Sequence, residues 1–496
     1  MNRALKRLSI AVLAMFLLLL INVNYLQGFE TSSLAAEPNN ARAYYGQFEY
    51  QRGNIVTADG VTIAGSKPSG ADDPIKWQRY YSDGPMYAPV TGYDTIYSSS
   101  GLEYYENAVL NGNDTSLTVR NFIDLITGKT RKGANVTVTI NSKAQAAAYN
   151  GLVATLQGTG RVGAVVALNP ATGAILAMAS FPSYNPNELA VHDGTQLIKN
   201  DDTLQHAEGN PLLNHAINTT LPPGSTFKIV TSSAYFNQNP GSSTQTAVYS
   251  PTQLTLPQTS HVLTNDDGEV CGNTGTDQVP ILYAFAQSCD TTFGSLGIKV
   301  QAGALNSTAQ DFGMNSSSLK IPMPVSPSNY VIPASEALTA YSAIGQYSDT
   351  VTALQEAMFA ATIANGGKLM TPYLVQSVIA SDLSTVQSTQ PSLLQQAVSP
   401  SVASNVGQMM EAVVQQPEGT AYAFNANNEG VTIAGKTGTA QNGANNSGLN
   451  DAVFTSFAPY DNPTIAVGVI IQGGGYGATA AAPIAVQVIK AYLGIR

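Results

Sequence analysis

Hydrophobic positions fall along this chain in distinct regimes, and each predicts a different kind of element. Residues 10–21 form an apolar run, continued less purely through Val23, Tyr25 and Leu26, long enough for a signal-peptide core or, counted over 8–26, for one bilayer span. Alternation appears in Asn135-Val136-Thr137-Val138-Thr139-Ile140, which predicts a strand. A helical pattern over 141–157 follows it, with Asn141 or Ser142 as the cap. Short apolar blocks at 164–168, 174–179, 453–457 and 464–471 predict strands, and the turn Asn169-Pro170-Ala171-Thr172-Gly173 makes the first two an antiparallel hairpin. Helices are predicted at 282–287, 334–344, 353–365, 401–416 and 482–493, and 181–210 reads as a loop. A strand over 431–435 feeds into Lys436-Thr437-Gly438-Thr439. Helix, sheet and helix together predict an α/β (α+β) layered domain from about residue 135 onward.

Charge gives the first apolar run a direction. Arg3, Lys6 and Arg7 precede it, and no further Lys or Arg occurs until Arg42, which puts the N-terminus in the cytoplasm and the rest outside. A cleaved signal peptide remains the alternative, with small residues at Leu34-Ala35-Ala36. The 496 residues are 44% hydrophobic and 11% charged, with a formal net charge of −10, which suits folded domains and excludes a nucleic-acid footprint. Arg52-Gly53-Asn54-Ile55 reads as a short strand and turn, and 77–112 is a Tyr-rich region: Tyr80, Tyr81, Tyr87, Tyr93, Tyr97, Tyr104 and Tyr105. It reads as packed core or as a binding face. The two cysteines, Cys271 and Cys289, are a disulfide candidate outside the membrane, or else two buried thiols. Four scattered His show no ligand spacing, so no metal and no cofactor is expected.

The candidate chemistry begins at Pro222-Pro223-Gly224-Ser225-Thr226-Phe227-Lys228. The prolines and glycine end any preceding element and place Ser225 near a helix start, with Lys228 on the same face. That pairs a nucleophile with a base, provided burial frees the amine, because an unperturbed lysine is neutral in only about one molecule in a few thousand at pH 7. A second Ser-x-x-Lys, Ser317 to Lys320, runs into Pro322 and Pro324 and reads as surface loop. Gly158-Thr159-Gly160-Arg161-Val162-Gly163 matches a dinucleotide fingerprint but follows a helix and opens a strand, the reverse of what that motif needs.

Downstream of Ser225 come Ser288-Cys289-Asp290 and then Lys436-Thr437-Gly438. Three such elements in this order resemble the signature of penicillin-binding proteins and serine β-lactamases. The chain resembles the class B penicillin-binding proteins, of the actinobacterial penicillin-binding protein A type, from the anchor to the C-terminus. The resemblance implies an uncleaved anchor (1–28), a linker and non-catalytic pedestal domain (29–134) and a transpeptidase domain (135–496). It implies a D,D-transpeptidase that cross-links peptidoglycan stem peptides and is acylated by β-lactams. Its partner would be a membrane-embedded glycan polymerase within division or elongation machinery.

By the same resemblance Ser225 is the nucleophile and Lys228 its base, while Ser288 relays a proton and Lys436 supplies charge. Thr437 and Thr439 bind the substrate carboxylate, Gly438 leaves room for the substrate, and the N–H groups of Ser225 and Thr439 form an oxyanion hole. Asp290 departs from the family's Asn: an ionised carboxylate only accepts hydrogen bonds, and it raises the lysine's pKa. That departure keeps open a catalytically weak scaffold, beside a D,D-carboxypeptidase or β-lactamase using water as acceptor.

Overall fold

The computed structural model describes residues 2–28, 30, 47–117, 126–127, 130–272, 276–427, 430–441 and 449–495. Its centre is a five-stranded antiparallel sheet in the order Ala434–Ala440, Asp451–Ala458, Ile465–Ile471, Gly163–Leu168 and Ile175–Phe181. The middle strands are buried along their whole length, so they read in the sequence as apolar blocks and not as alternation. Helix Ala353–Ala364 covers one face, where Gly468 gives it access: a Cβ there would meet Ala357 N at 2.4 Å and Ala353 O at 2.5 Å. On the opposite face Ser142–Leu156 packs beneath Gly163, and Ala482–Leu493 lies against that helix.

A second sheet ties the N-terminal region to the rest. Its order is Thr385–Ser388, Val375–Ile379, Asn135–Val138, Ile55–Val56, Thr62–Pro68 and Trp77–Tyr81. The alternating strand Asn135–Val138 sits in its middle, parallel to Ile55–Val56 and antiparallel to Val375–Ile379. Asn141 caps the following helix by accepting from Ala144 N at 3.0 Å. Helix Asn2–Gly28 is solvent-exposed along its described side chains, and its span Leu5–Leu26 is long and apolar enough to cross a membrane.

Three expectations change. The stretch 181–210 is not all loop but carries helix Gly194–Gln205, which buries only Leu197 and so shows no apolar stripe. The strand expected to feed the Lys-Thr-Gly motif instead begins at Ala434 and contains the motif. The tyrosines divide: Tyr81 and Tyr87 are core, whereas Tyr97, Tyr104 and Tyr105 are exposed. Ser317 and Lys320 lie exposed in a loop, and the glycine-rich 158–163 segment joins helix to strand as its order requires.

Candidate active site

Ser225 lies in the short 3-10 turn Gly224–Phe227, from which helix Lys228–Gln238 continues. In such a turn residues three apart eclipse, so Ser225 and Lys228 project the same way. The turn is pinned by Gly224 N donating to Gly345 O at 3.0 Å. It also packs on the motif strand, where a Cβ at Gly438 would meet Pro223 O at 2.7 Å and Thr226 Cγ2 at 3.1 Å. The space at Gly438 is therefore filled by the serine turn and not held open for substrate, which corrects the role expected of that glycine.

Ser288 joins two helices, Ile281–Ala286 and Asp290–Val300, in a left-handed conformation with φ 64°. The backbone there turns sharply enough to bring residue 288's carbonyl and hydroxyl to the same lysine. Lys228 Nζ donates to Ser288 O (2.7 Å), Ser288 Oγ (3.2 Å) and Asp290 Oδ1 (2.6 Å). From the other side Lys436 Nζ donates to Ser288 Oγ (2.8 Å) and to Thr437 O (3.0 Å). One hydroxyl thus bridges two buried amines. Asp290 opens its helix, where the N-terminal dipole favours a carboxylate. Cys271 and Cys289 form a disulfide, Cα to Cα 5.8 Å, that staples this turn to the neighbouring loop.

Burial of both lysines opposes their charge. It lowers the Lys228 pKa against the upward pull of Asp290 and Asp266, and it drives Lys436 well below the ordinary lysine value with the help of Lys228's own charge. Among the described ion pairs only Asp290 contacts this pair of amines, through Lys228, which favours one ammonium and one free amine, and a free amine is what proton abstraction from a serine requires. Aromatic rings floor the cluster, Phe293 5.5 Å from Lys228 Nζ and Phe285 5.6 Å from Lys436 Nζ.

A cavity of about 330 Å³ opens above, lined among others by Ser225, Ser288, Asp290, Thr437 and Thr439. Of the residues singled out from the sequence, Ser225, Ser288, Asp290, Thr437, Thr439 and both cysteines line the cavity, Lys228 and Lys436 are buried behind Ser288 and Asp290, and Gly438 is outside the lining. The cavity's further lining residues include Thr420 and Gln346. Thr420 Oγ1 lies 2.6 Å from Thr437 Oγ1, and the Gln346 amide donates to Thr439 O (2.9 Å) while accepting from Gln441 N (3.1 Å), as a neighbouring strand would. Neither sits in a pattern that sequence reading uses.

The family model described as the penicillin binding protein transpeptidase domain matches residues 163–490. That of the penicillin binding protein A dimerisation domain matches 52–136. The chain is 40% identical to the peptidoglycan D,D-transpeptidase PbpA of Mycolicibacterium smegmatis over 503 residues, covering 99% of each chain. It is similar to the penicillin-binding protein A structure from Mycobacterium tuberculosis in a ceftriaxone acyl-enzyme complex: 36% identity, TM-score 0.84, 90% of this chain and 100% of that one. The penicillin G acyl-enzyme of the same protein matches at 38% identity and TM-score 0.82, over 90% of this chain and 100% of that one.

Proposed function

This chain belongs to the class B penicillin-binding proteins of the penicillin-binding protein A type, and we propose that Ser225 is the nucleophile of its transpeptidation. It is a serine-type peptidoglycan D,D-transpeptidase that β-lactams acylate. The observation carrying the assignment of roles is the Ser288 hydroxyl held between two buried amines in the cavity that Ser225 also lines.

Ser225 Oγ attacks the penultimate D-Ala carbonyl of the donor stem peptide, and its proton passes to the Lys228 amine. The N–H groups of Ser225 and Thr439 face the developing oxyanion, and Lys436 adds positive charge whenever it holds the cluster's proton. As the C–N bond breaks, the proton travels from Lys228 through Ser288 to the leaving D-Ala amine. An amine of a second stem peptide then attacks the acyl-enzyme, gives up a proton to the same relay and restores Ser225. The carboxylate of the donor binds at Thr437 and Thr439, along the edge of Ala434–Ala440.

The N-terminal helix anchors the protein, and Arg3, Lys6 and Arg7 at its start support an extracytoplasmic catalytic domain. The division near residue 134, between pedestal and transpeptidase, belongs to this reading, as does a membrane-embedded glycan polymerase in a division or elongation complex that supplies the strands.

Intact-mass measurement of the full-length protein with penicillin G, followed over hours, tests the assignment. One long-lived adduct in the wild type, lost in Ser225→Ala, is expected. An adduct that persists in Ser225→Ala would place the nucleophile elsewhere, and rapid release would mark a β-lactamase.

A further inference from the structure

Directly beneath the serine turn lies a carboxyl that the reaction above does not use. Glu356, on helix Ala353–Ala364, is fully buried with its Oε1 2.7 Å from the hydroxyl of Thr226, the residue after Ser225. The same Thr226 Oγ1 lies 2.8 Å from Pro223 O. A hydroxyl has one proton, and a carbonyl can only accept. Both contacts are satisfied together only when Glu356 carries a proton and donates it to Thr226, which in turn donates to Pro223. Glu356 Oε2 has no hydrogen-bond partner and no solvent, an arrangement that is costly for an anion and tolerable for a neutral acid.

Glu356 reaches this position because Gly468 lets its helix approach the sheet: a Cβ there would lie 2.7 Å from Glu356 Cβ. Thr455 Oγ1 donates to the Glu356 carbonyl at 2.5 Å and holds the backbone in place. The elements packed on this helix bring His215, Lys368, Glu411 and Asp451, and the serine turn and motif strand bring Lys228 and Lys436. None of these sets the carboxyl's affinity for its proton: burial raises it to about 8, with the Thr226 hydroxyl pulling the other way.

We infer that Glu356 is a positioning residue for acylation, whose neutral carboxyl locks Thr226 onto Pro223 and so fixes the turn that presents Ser225. The inference rests on Ser225 being the nucleophile. Ionisation of Glu356 turns the Thr226 proton toward the carboxylate, releases Pro223 O and slackens the turn. Acylation is then supported below the carboxyl's pKa and declines above it.

The test is the second-order rate of acylation of the full-length protein by penicillin G from about pH 6 to about pH 10, a window bracketing the about 8 of Glu356. Titration of the lysine cluster is common to all variants, so each curve is read against the wild type. Glu356→Gln, whose amide still donates to Thr226 but never ionises, is expected to keep the neutral-pH rate within about twofold and to lose the alkaline decline. Glu356→Met and Thr226→Val each break the chain of bonds and are expected to slow acylation about tenfold at pH 7, with the melting temperature read in parallel. A Gln variant with the wild-type alkaline limb, or a folded Met or Val variant acylating at the wild-type rate, overturns the inference. Should Glu356→Met fail to fold, the Gln and Val variants decide. A wild type that takes up no penicillin at any pH overturns the Ser225 reading as well, so the two failures are distinguishable.

Discussion

Two clusters of buried charge stand out among the described residues, and they differ in their cations and in their balance. In the region proposed above as the pedestal, Arg52 Nε and Arg79 Nε each meet one oxygen of Glu103 at 2.6 Å, with Asp94 Oδ2 3.5 Å from Arg52. Two guanidiniums face two carboxylates; Arg52 also donates to Asn107 Oδ1 and Glu103 O, and Arg79 Nη1 to Gly53 O, while Arg79 Nη2 has no hydrogen-bond partner among the described residues. Burial opposes charge on Arg52, but Asp94 and Glu103 outweigh it and hold the group ionised. In the catalytic domain two lysines share Asp290, and burial pushes both amines toward neutrality. An arginine fork cannot give up its proton, so the pedestal cluster is a fixed staple. A lysine pair short of one counter-charge can, and its protons are mobile.

The largest way to break this contrast is to remove an amine from the mobile cluster. Lys228→Ala is expected to slow acylation by penicillin by on the order of 10³-fold while the melting temperature stays close to wild type. In the pedestal the expected effects run the other way. Glu103→Ala leaves two buried guanidiniums without their shared carboxylate and is expected to cost about 3–5 kcal/mol in denaturant unfolding, with the folded fraction still acylating. A Glu103→Ala protein that unfolds at the wild-type denaturant midpoint would show that the pedestal ions are not a staple.

Asp290→Asn sharpens the comparison at smaller scale. Burial alone would lower Lys228's pKa and Asp290 raises it, so removing the carboxylate lets the amine deprotonate at lower pH. The rising acid limb of the acylation profile is expected to move down, a gain on the order of tenfold at acidic pH for each pKa unit. An unmoved limb would mean that Asp290 does not set the base.

Least is expected of Asp349, a buried carboxyl outside both clusters that accepts from Ser342 Oγ at 2.8 Å. Burial raises its pKa to about 7, against that hydrogen bond. Because the folded value exceeds the unfolded 3.8, its contribution to stability is fully present below the unfolded value and lost as pH rises toward about 7. Asp349→Asn is expected to flatten that part of the melting-temperature curve. An unchanged slope would place the titration elsewhere.

Much of the mobile cluster was legible before the fold was known, and little of the staple was. Ser225 and Lys228 announce themselves because three-residue spacing and the Pro-Pro-Gly break are local, and Lys436 because its motif is a contiguous strand. Arg52, Arg79, Asp94 and Glu103 meet only once the six-stranded sheet is assembled, and no local period connects them. Thr420, Gln346 and Glu356 were invisible for the same reason: each reaches the site from a distant element. The catalytic sheet was legible from its apolar blocks, whereas helix Gly194–Gln205 was not, because it lies on the surface with one buried anchor. Its available signal was the cap, Asp193 accepting from Thr195 N and Gln196 N.

The most direct measurement compares the wild type with Lys228→Arg, which puts the pedestal's kind of cation in the catalytic cluster, by their rates of penicillin acylation across pH. The wild-type rate should rise with pH as the cluster's amine is freed, below the ordinary lysine pKa, until the alkaline decline expected from Glu356 sets in. Lys228→Arg should fold, melt near the wild type and acylate negligibly at every pH. An arginine variant that acylates at the wild-type rate would contradict the claim that a mobile lysine proton drives the chemistry of this site.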